Sequence, residues 1–237
     1  MNHDPERIYS SPTLSQGAPT RWLWYAPSNL EGLCWVRRPL YWQAADGSGT
    51  AEPLTAGERD EILSSILGRL IVYETIDLTT KTDIWVMSLD DRKPRLLVQA
   101  PFDEGGASLS PGGRRLVYQF NQSGRWEIWV QPYPGTGSRQ QVSQRGGVQP
   151  LWQSDSPSIV CQCGADMMSA TISASGAGAP VRLFPVETND VLPDITSERR
   201  ILVRRTTGRP ATSLGLIVNW FNYVRRVAGR TNLHSPR

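Results

Sequence analysis

Asp83-Ile84-Trp85-Val86-Met87-Ser88-Leu89-Asp90 and Glu127-Ile128-Trp129-Val130-Gln131-Pro132 have the character of one strand written twice, 44 residues apart. Leu40-Tyr41-Trp42-Gln43 precedes them by the same step, so an aromatic recurs at 41, 85 and 129. Met167-Met168-Ser169-Ala170 is a weaker copy 39 residues further on. Two other series keep this phase. One is Leu23-Trp24-Tyr25, Ile71-Val72-Tyr73, Leu116-Val117-Tyr118, Ile159-Val160-Cys161 and Ile201-Leu202-Val203. The other is Pro53-Leu54-Thr55, Leu96-Leu97-Val98, Gln141-Val142-Ser143 and Arg182-Leu183-Phe184. β-Branched and aromatic side chains in short runs are strand formers. Several strand-like positions sharing one period therefore mark a repeated supersecondary unit.

Turn chemistry punctuates the runs. Asp46-Gly47-Ser48-Gly49 and Pro134-Gly135-Thr136-Gly137 share one phase, Lys81-Thr82 and Gln122-Ser123-Gly124 another. Glycine supplies positive φ in such hairpins, and proline pre-sets φ in Ser110-Pro111-Gly112-Gly113. Strands of about five residues with turns every 8–12 residues predict an all-β chain rather than alternating strands and helices. A period of 40–45 residues with four strands per unit predicts four-stranded antiparallel β-propeller blades.

The expected strands lie near 9–14, 22–27, 39–44 and 51–55 in the first unit and 60–66, 69–75, 82–88 and 94–98 in the second. The third has 105–109, 114–119, 126–132 and 139–143, and the fourth 148–153, 157–162, 166–172 and 180–184. A fifth has only three, near 190–195, 199–204 and 213–220. Four full blades and a partial fifth over 8–221 would close as a small ring or stand as an open arc. A short helix is expected at the end: Asn219 can cap it, Trp220, Val224 and Val227 recur at helical spacing, and Gly229 can stop it. That leaves a flexible N-terminus over 1–7, and the short helix with a basic tail over 222–237.

The motifs resemble a known family. Asp83 to Asp90 is similar to the strand of TolB-type propeller repeats, and Ser110-Pro111-Gly112-Gly113-Arg114-Arg115-Leu116-Val117-Tyr118 resembles their turn and following strand. Glu127 to Gly135, and Val218-Asn219-Trp220-Phe221, resemble the variant found in WD-repeat-like propellers attached to bacterial Ser/Thr protein kinases. The resemblance is strongest over 38–153. It implies a six-bladed propeller, usually extracytoplasmic and usually part of a longer chain. The sequence departs from the pattern at Ser65-Ile66-Leu67-Gly68, at Gly112, at Gln153-Ser154-Asp155-Ser156 and at Ser15-Gln16-Gly17. No kinase glycine-rich loop, His-Arg-Asp or Asp-Phe-Gly motif accompanies it. The chain thus looks like a truncated or diverged relative.

Composition narrows the chemistry. The two histidines, His3 and His234, lie in the expected loose ends, so a Ser-His-Asp triad lacks an ordered base. Gly-x-Ser-x-Gly, His-Glu-x-x-His and P-loop patterns do not occur, nor does a calcium loop of alternating acids. Asp90-Asp91 and Asp103-Glu104 are adjacent acids without that spacing. No catalytic residue, cofactor or metal is expected. Asp60, Glu61, Asp103 and Glu104 precede or open the first strands of successive units, and they are the candidate binding residues at a rim or the central channel. Tyr41, Trp85 and Trp129 are expected to pack in the core. Cys161 and Cys163, two apart, should share one strand face; no second Cys/His pair is present to complete a zinc site.

The net charge of +3 is unevenly distributed. Residues 1–198 hold all 22 acids, and residues 199–237 hold nine arginines and no acid. Such a tail is first a solvated surface that discourages edge pairing, and second a weak nucleic-acid contact. No basic stretch followed by an apolar one opens the chain. The longest apolar run, near Leu214–Phe221, is short of the ~18–20 residues of a membrane span, so as written the chain is expected to be soluble and cytoplasmic. The expected function is a non-catalytic scaffold or sensor binding a protein partner or adjoining domain. The alternatives are the propeller remnant of a larger enzyme (a kinase sensor or prolyl-oligopeptidase-type gate) and a small metal-dependent propeller hydrolase.

Overall fold

The computed structural model describes residues 21–25, 39–44, 49–135, 137–154, 156–174, 176–186, 190–195 and 201–205. All of the regular structure among them is β. The first sheet holds β1 (Arg21–Tyr25), β2 (Leu40–Ala44) and β3 (Glu52–Pro53), in that order. The second holds β4 (Asp60–Leu67), β5 (Leu70–Asp77), β6 (Lys81–Ser88) and β7 (Pro94–Val98), again in order. The third is built from β8 (Glu104–Leu109), β9 (Arg115–Phe120), β10 (Glu127–Pro132) and β11 (Gln140–Gln141).

The fourth has β12 (Val148–Trp152), β13 (Ser158–Cys163) and β14 (Asp166–Ser173), after which two strands share the edge of β14. β15 (Gly176–Ala177) takes its far end and β16 (Val181–Pro185) its near end. β17 (Asp190–Ile195) and β18 (Ile201–Arg205) pair as a final hairpin. Every pairing is antiparallel, and each sheet is a meander whose strands follow chain order, as expected for propeller blades. The strands expected at 9–14 and 213–220, the terminal helix and the loose ends lie outside the described residues.

Turn residues set the strand boundaries. In Ser110–Gly113, Gly113 takes φ +63° and its N–H reaches the Ser110 carbonyl at 2.7 Å. The Ser110 hydroxyl accepts from Arg114 and Arg115 N–H at 3.2 and 3.1 Å. The second unit lacks the proline, but Gly68 supplies φ +57° in a two-residue link from β4 to β5. Only glycine adopts that region without steric cost.

Side chains alternate between two interfaces, because the strand period is two. Ile71, Tyr73 and Met87 of the second sheet pack on Leu40, Trp42 and Leu54 of the first unit. Val72, Ile84 and Val86 pack instead on Ala107, Leu109, Leu116, Tyr118 and Phe120 of the third sheet. Val117, Ile128 and Val130 turn the other way, onto Ile159, Cys161, Ala170 and Ile172 of the fourth. Both faces of the inner strands are thus buried, which is why their sequences are apolar at consecutive positions. Burying each such side chain contributes roughly 1.5–3 kcal/mol. The first strands line up in series: β4 lies against β8, β8 against β12 and β12 against β17. That stacking makes the seams between sheets the places where polar side chains meet.

Candidate functional site

The four candidate carboxylates fall at two successive seams. Asp60 and Glu61 open β4, and Asp103 and Glu104 stand at the start of β8. Glu61 is 6% exposed and reaches back to the first sheet. Its Oε2 accepts from the Thr55 hydroxyl and, at 3.2 Å, from Leu40 N–H, which also bonds Thr55 Oγ1 at 2.9 Å. Burial raises the Glu61 pKa, opposed by those hydrogen bonds. Asp103 is tied to Asn121 in both directions, at 2.9 Å through its N–H and 3.0 Å through its carboxylate.

Glu104 is 1% exposed, and neither of its carboxylate oxygens has a hydrogen-bond partner among the described residues. Asp83 belongs to the same seam and is fully buried. Its Oδ2 accepts from the Thr80 hydroxyl at 2.7 Å and Gln99 Nε2 at 3.1 Å, while Oδ1 has no partner. Arg59 Nη1 stands 3.8 Å from Asp83 Oδ2. Burial, then the negative charges of Asp83 and Asp103, push the Glu104 carboxyl up to about 8 against the attraction of Arg139.

The third seam shows what these residues have in common. Leu40, Ile84 and Ile128 are equivalent, as are Thr55, Gln99 and Ser143, each 44 residues apart. Glu61, Glu104 and Gly147 are equivalent at a step of 43, and Pro39, Asp83 and Glu127 at 44. Ser143 Oγ accepts from Ile128 N–H at 2.8 Å, as Thr55 does from Leu40. The carboxylate there is Glu127, which takes the Ser143 hydroxyl, Gly146 N–H at 3.1 Å and Arg125 Nη2 at 2.9 Å. Position 147 is glycine because a Cβ would come 2.7 Å from Ile128 Cγ1 and 2.9 Å from Ser143 Oγ. Each of these three seams therefore holds a buried carboxylate, supplied from one position in the first, from the other in the third, and from both in the second.

A second device repeats beside it. β8 and β12 both bulge, between Gly105 and Ser108 and between Val148 and Leu151. Gly106 (φ +58°) and Gln149 (φ +55°) sit in these bulges. Gly106 N–H donates to Glu74 Oε1 at 2.7 Å, and Gln149 N–H to Gln119 Oε1 at 2.9 Å. In each case the second strand of one sheet captures a peptide group that the bulge frees in the next. Bulges release a backbone group from the ladder, and these two have found partners across a seam.

The expected core aromatics are half-buried. Trp85 Nε1 donates to Thr75 Oγ1 at 3.0 Å. Arg59 covers the Trp85 ring at 5.9 Å, and Arg139 covers Trp129 at 5.0 Å and Phe120 at 4.7 Å. These cation–π lids connect the sheets' outer loops to their central strands. Cys161 and Cys163 do share a face of β13, with Sγ atoms 3.6 Å apart. The thiol–thiol hydrogen bond pushes Cys161 up, with burial adding to it, and draws Cys163 down against the effect of burial. Among the described residues, no three His, Cys, Asp or Glu side chains converge, and no helix is long and apolar enough to cross a membrane.

No protein-family model matches the sequence, and no curated protein matches it. Solved structures do share the fold. TolB from Acinetobacter baumannii is 16% identical with a TM-score of 0.54, over 78% of this chain and 51% of that one. A TolB protein from Agrobacterium tumefaciens is 19% identical with a TM-score of 0.52, over 68% and 61%. The β-propeller domain of the trilobed protease from Pyrococcus furiosus, described as having an open velcro topology, is 12% identical with a TM-score of 0.52, over 90% and 67%. The chain thus spans about half to three fifths of the two TolB chains. What it shares with all three is the fold: four-stranded antiparallel sheets arranged as propeller blades.

Proposed function

We propose that the chain is a non-catalytic propeller module, four blades and part of a fifth, that presents its outer strands to a protein partner or adjoining domain. The observation that carries this reading is where polar and apolar side chains lie. Glu61, Asp83, Glu104 and Glu127 are buried at the seams, out of reach of a ligand in solvent. Large apolar side chains stay in solvent instead: Val181 (64% exposed) and Leu183 (43%) on β16, and Leu96 (42%) on β7. β7 ends its sheet, and among the described residues β16 pairs with β14 alone. An edge strand with exposed alternate apolar side chains is suited to receive an extended segment of another chain.

The test is partner capture with two forms of the immobilised protein, wild type and Val181→Glu/Leu183→Glu. The expected result is a protein retained by the first and lost by the second, with unchanged circular dichroism. Equal retention by both forms, or turnover of peptide, ester or lactone substrates by the purified chain, overturns the proposal. A second reading, the propeller part of a larger peptidase, is favoured by the likeness to the Pyrococcus furiosus protease propeller. Under it the captured partner would be a hydrolase domain, and the same variant would release it.

A further inference from the structure

We propose that Cys161, Cys163 and Met168 form a three-sulfur site for a soft monovalent metal ion, Cu(I), on the β13–β14 hairpin. The two cysteines lie on one face of β13, with Sγ atoms 3.6 Å apart. Met168 stands directly across from Cys161 in the antiparallel register. Such facing residues have Cβ atoms about 4.5–5.5 Å apart on the same side of the sheet. Met168 and Cys163 both pack against the apolar cluster to which Cys161 belongs. Cys161 is fully buried, whereas Cys163 and Met168 are half-buried.

The spacing favours a shared metal over a disulfide. A disulfide needs Cβ atoms about 3.5–4.5 Å apart. A strand rising about 3.3 Å per residue sets alternate residues about 6.6 Å apart, so closing the bond would require β13 to buckle. Two thiolates at about 2.3 Å on one three-coordinate metal stand about 4.0 Å apart, so a shift of about 0.4 Å from the spacing found here would admit the ion. Hard donors near the site are engaged elsewhere. Asp166 accepts from Arg182 Nε at 2.7 Å, and Glu127 is held by Arg125, Ser143 and Gly146. Two thiolates and a thioether without a carboxylate or imidazole favour soft ions, and three donors with a thioether among them suit Cu(I) better than the four-coordinate sites of zinc. Binding replaces the thiol protons with the metal: one Cu(I) enters, two protons leave, and no electron is transferred.

The experiment uses the full chain with Cys34→Ser, so that the pair supplies the only thiols. Cu(I) is offered anaerobically as its complex with the chelator bathocuproine disulfonate. One equivalent should transfer to the protein, and its X-ray absorption should show three sulfur neighbours. Met168→Leu should weaken binding by at least about tenfold, and Cys163→Ser should abolish it, with strand content unchanged by circular dichroism. Copper left on the chelator, a nitrogen or oxygen shell, tighter binding of Zn(II), or an undiminished affinity in Met168→Leu would each overturn the proposal.

Discussion

Glu104 is the side chain whose surroundings suit its charge least. It is buried, both of its oxygens lack hydrogen bonds, and Asp83 and Asp103 add negative potential. Its carboxyl titrates near 8 in the folded chain, against 4.5 when unperturbed. Below pH 4.5 both folded and unfolded chains hold the proton, and this residue takes nothing from stability. As pH rises from there to about 8, the folded chain keeps a proton that the unfolded chain has released, so stability falls; above 8 the loss is complete. Glu104→Gln keeps the shape without the charge. It should be more stable than wild type by about 2 kcal/mol at pH 8.5 and about equal at pH 4.5, in urea unfolding monitored by tryptophan fluorescence. A difference independent of pH would show that the charge is compensated. Glu61, one repeat earlier, carries Thr55 and Leu40 as partners and should show a smaller effect.

At the scale of strands, most of the fold is legible in the sequence. The second sheet is expected at 60–66, 69–75, 82–88 and 94–98 and found at Asp60–Leu67, Leu70–Asp77, Lys81–Ser88 and Pro94–Val98. Aromatic and β-branched residues in phase, with turn residues between, carry that information. The outer strands are less legible: β3 and β11 have two residues each, and β15 is an unexpected extra. Residues 173–179 are small and carry no alternation, so nothing there announces a reversal. The seam carboxylates Glu61 and Glu104 are legible as acids at strand starts, but their partners are not, because Thr55 meets Glu61 across a blade boundary and Gln99 and Ser143 meet Asp83 and Glu127 only through the folding of the sheet. Asp83 and Glu127 carry one signal of their role in the sequence, the 44-residue step they share with Pro39. Gly147 tests the equivalence. Gly147→Ala places a methyl 2.7 Å from Ile128 and should destabilise by about 1–3 kcal/mol in thermal melts. Gly112→Ala, with open space around its Cβ, should change little. Equal effects would mean that position 147 is not part of the seam.

Across the molecule, each sheet packs mainly on the sheets before and after it, so cooperativity depends on the seams as it does in repeat proteins. The seams differ. The first is closed by Glu61 and the third by Glu127, each with its hydrogen bonds made. The second contains three carboxylate oxygens without partners, belonging to Asp83 and Glu104. Against that stand the Gly106–Glu74 clasp and a large apolar cluster, which hold the second and third sheets together while Glu104 is protonated. Ionising Glu104 removes about 2 kcal/mol from this one contact and leaves its neighbours unchanged. Coupling between the blades on either side should then fail before the blades themselves do. Calorimetry at pH 6 should show a single transition whose van't Hoff and calorimetric enthalpies agree, and at pH 9 the transition should split or broaden. Glu104→Gln should restore the single transition at pH 9. A melt that stays single in the wild type at both pH values would place the weakest junction of the propeller elsewhere, since an uncompensated charge at the second seam has to lower the coupling across it.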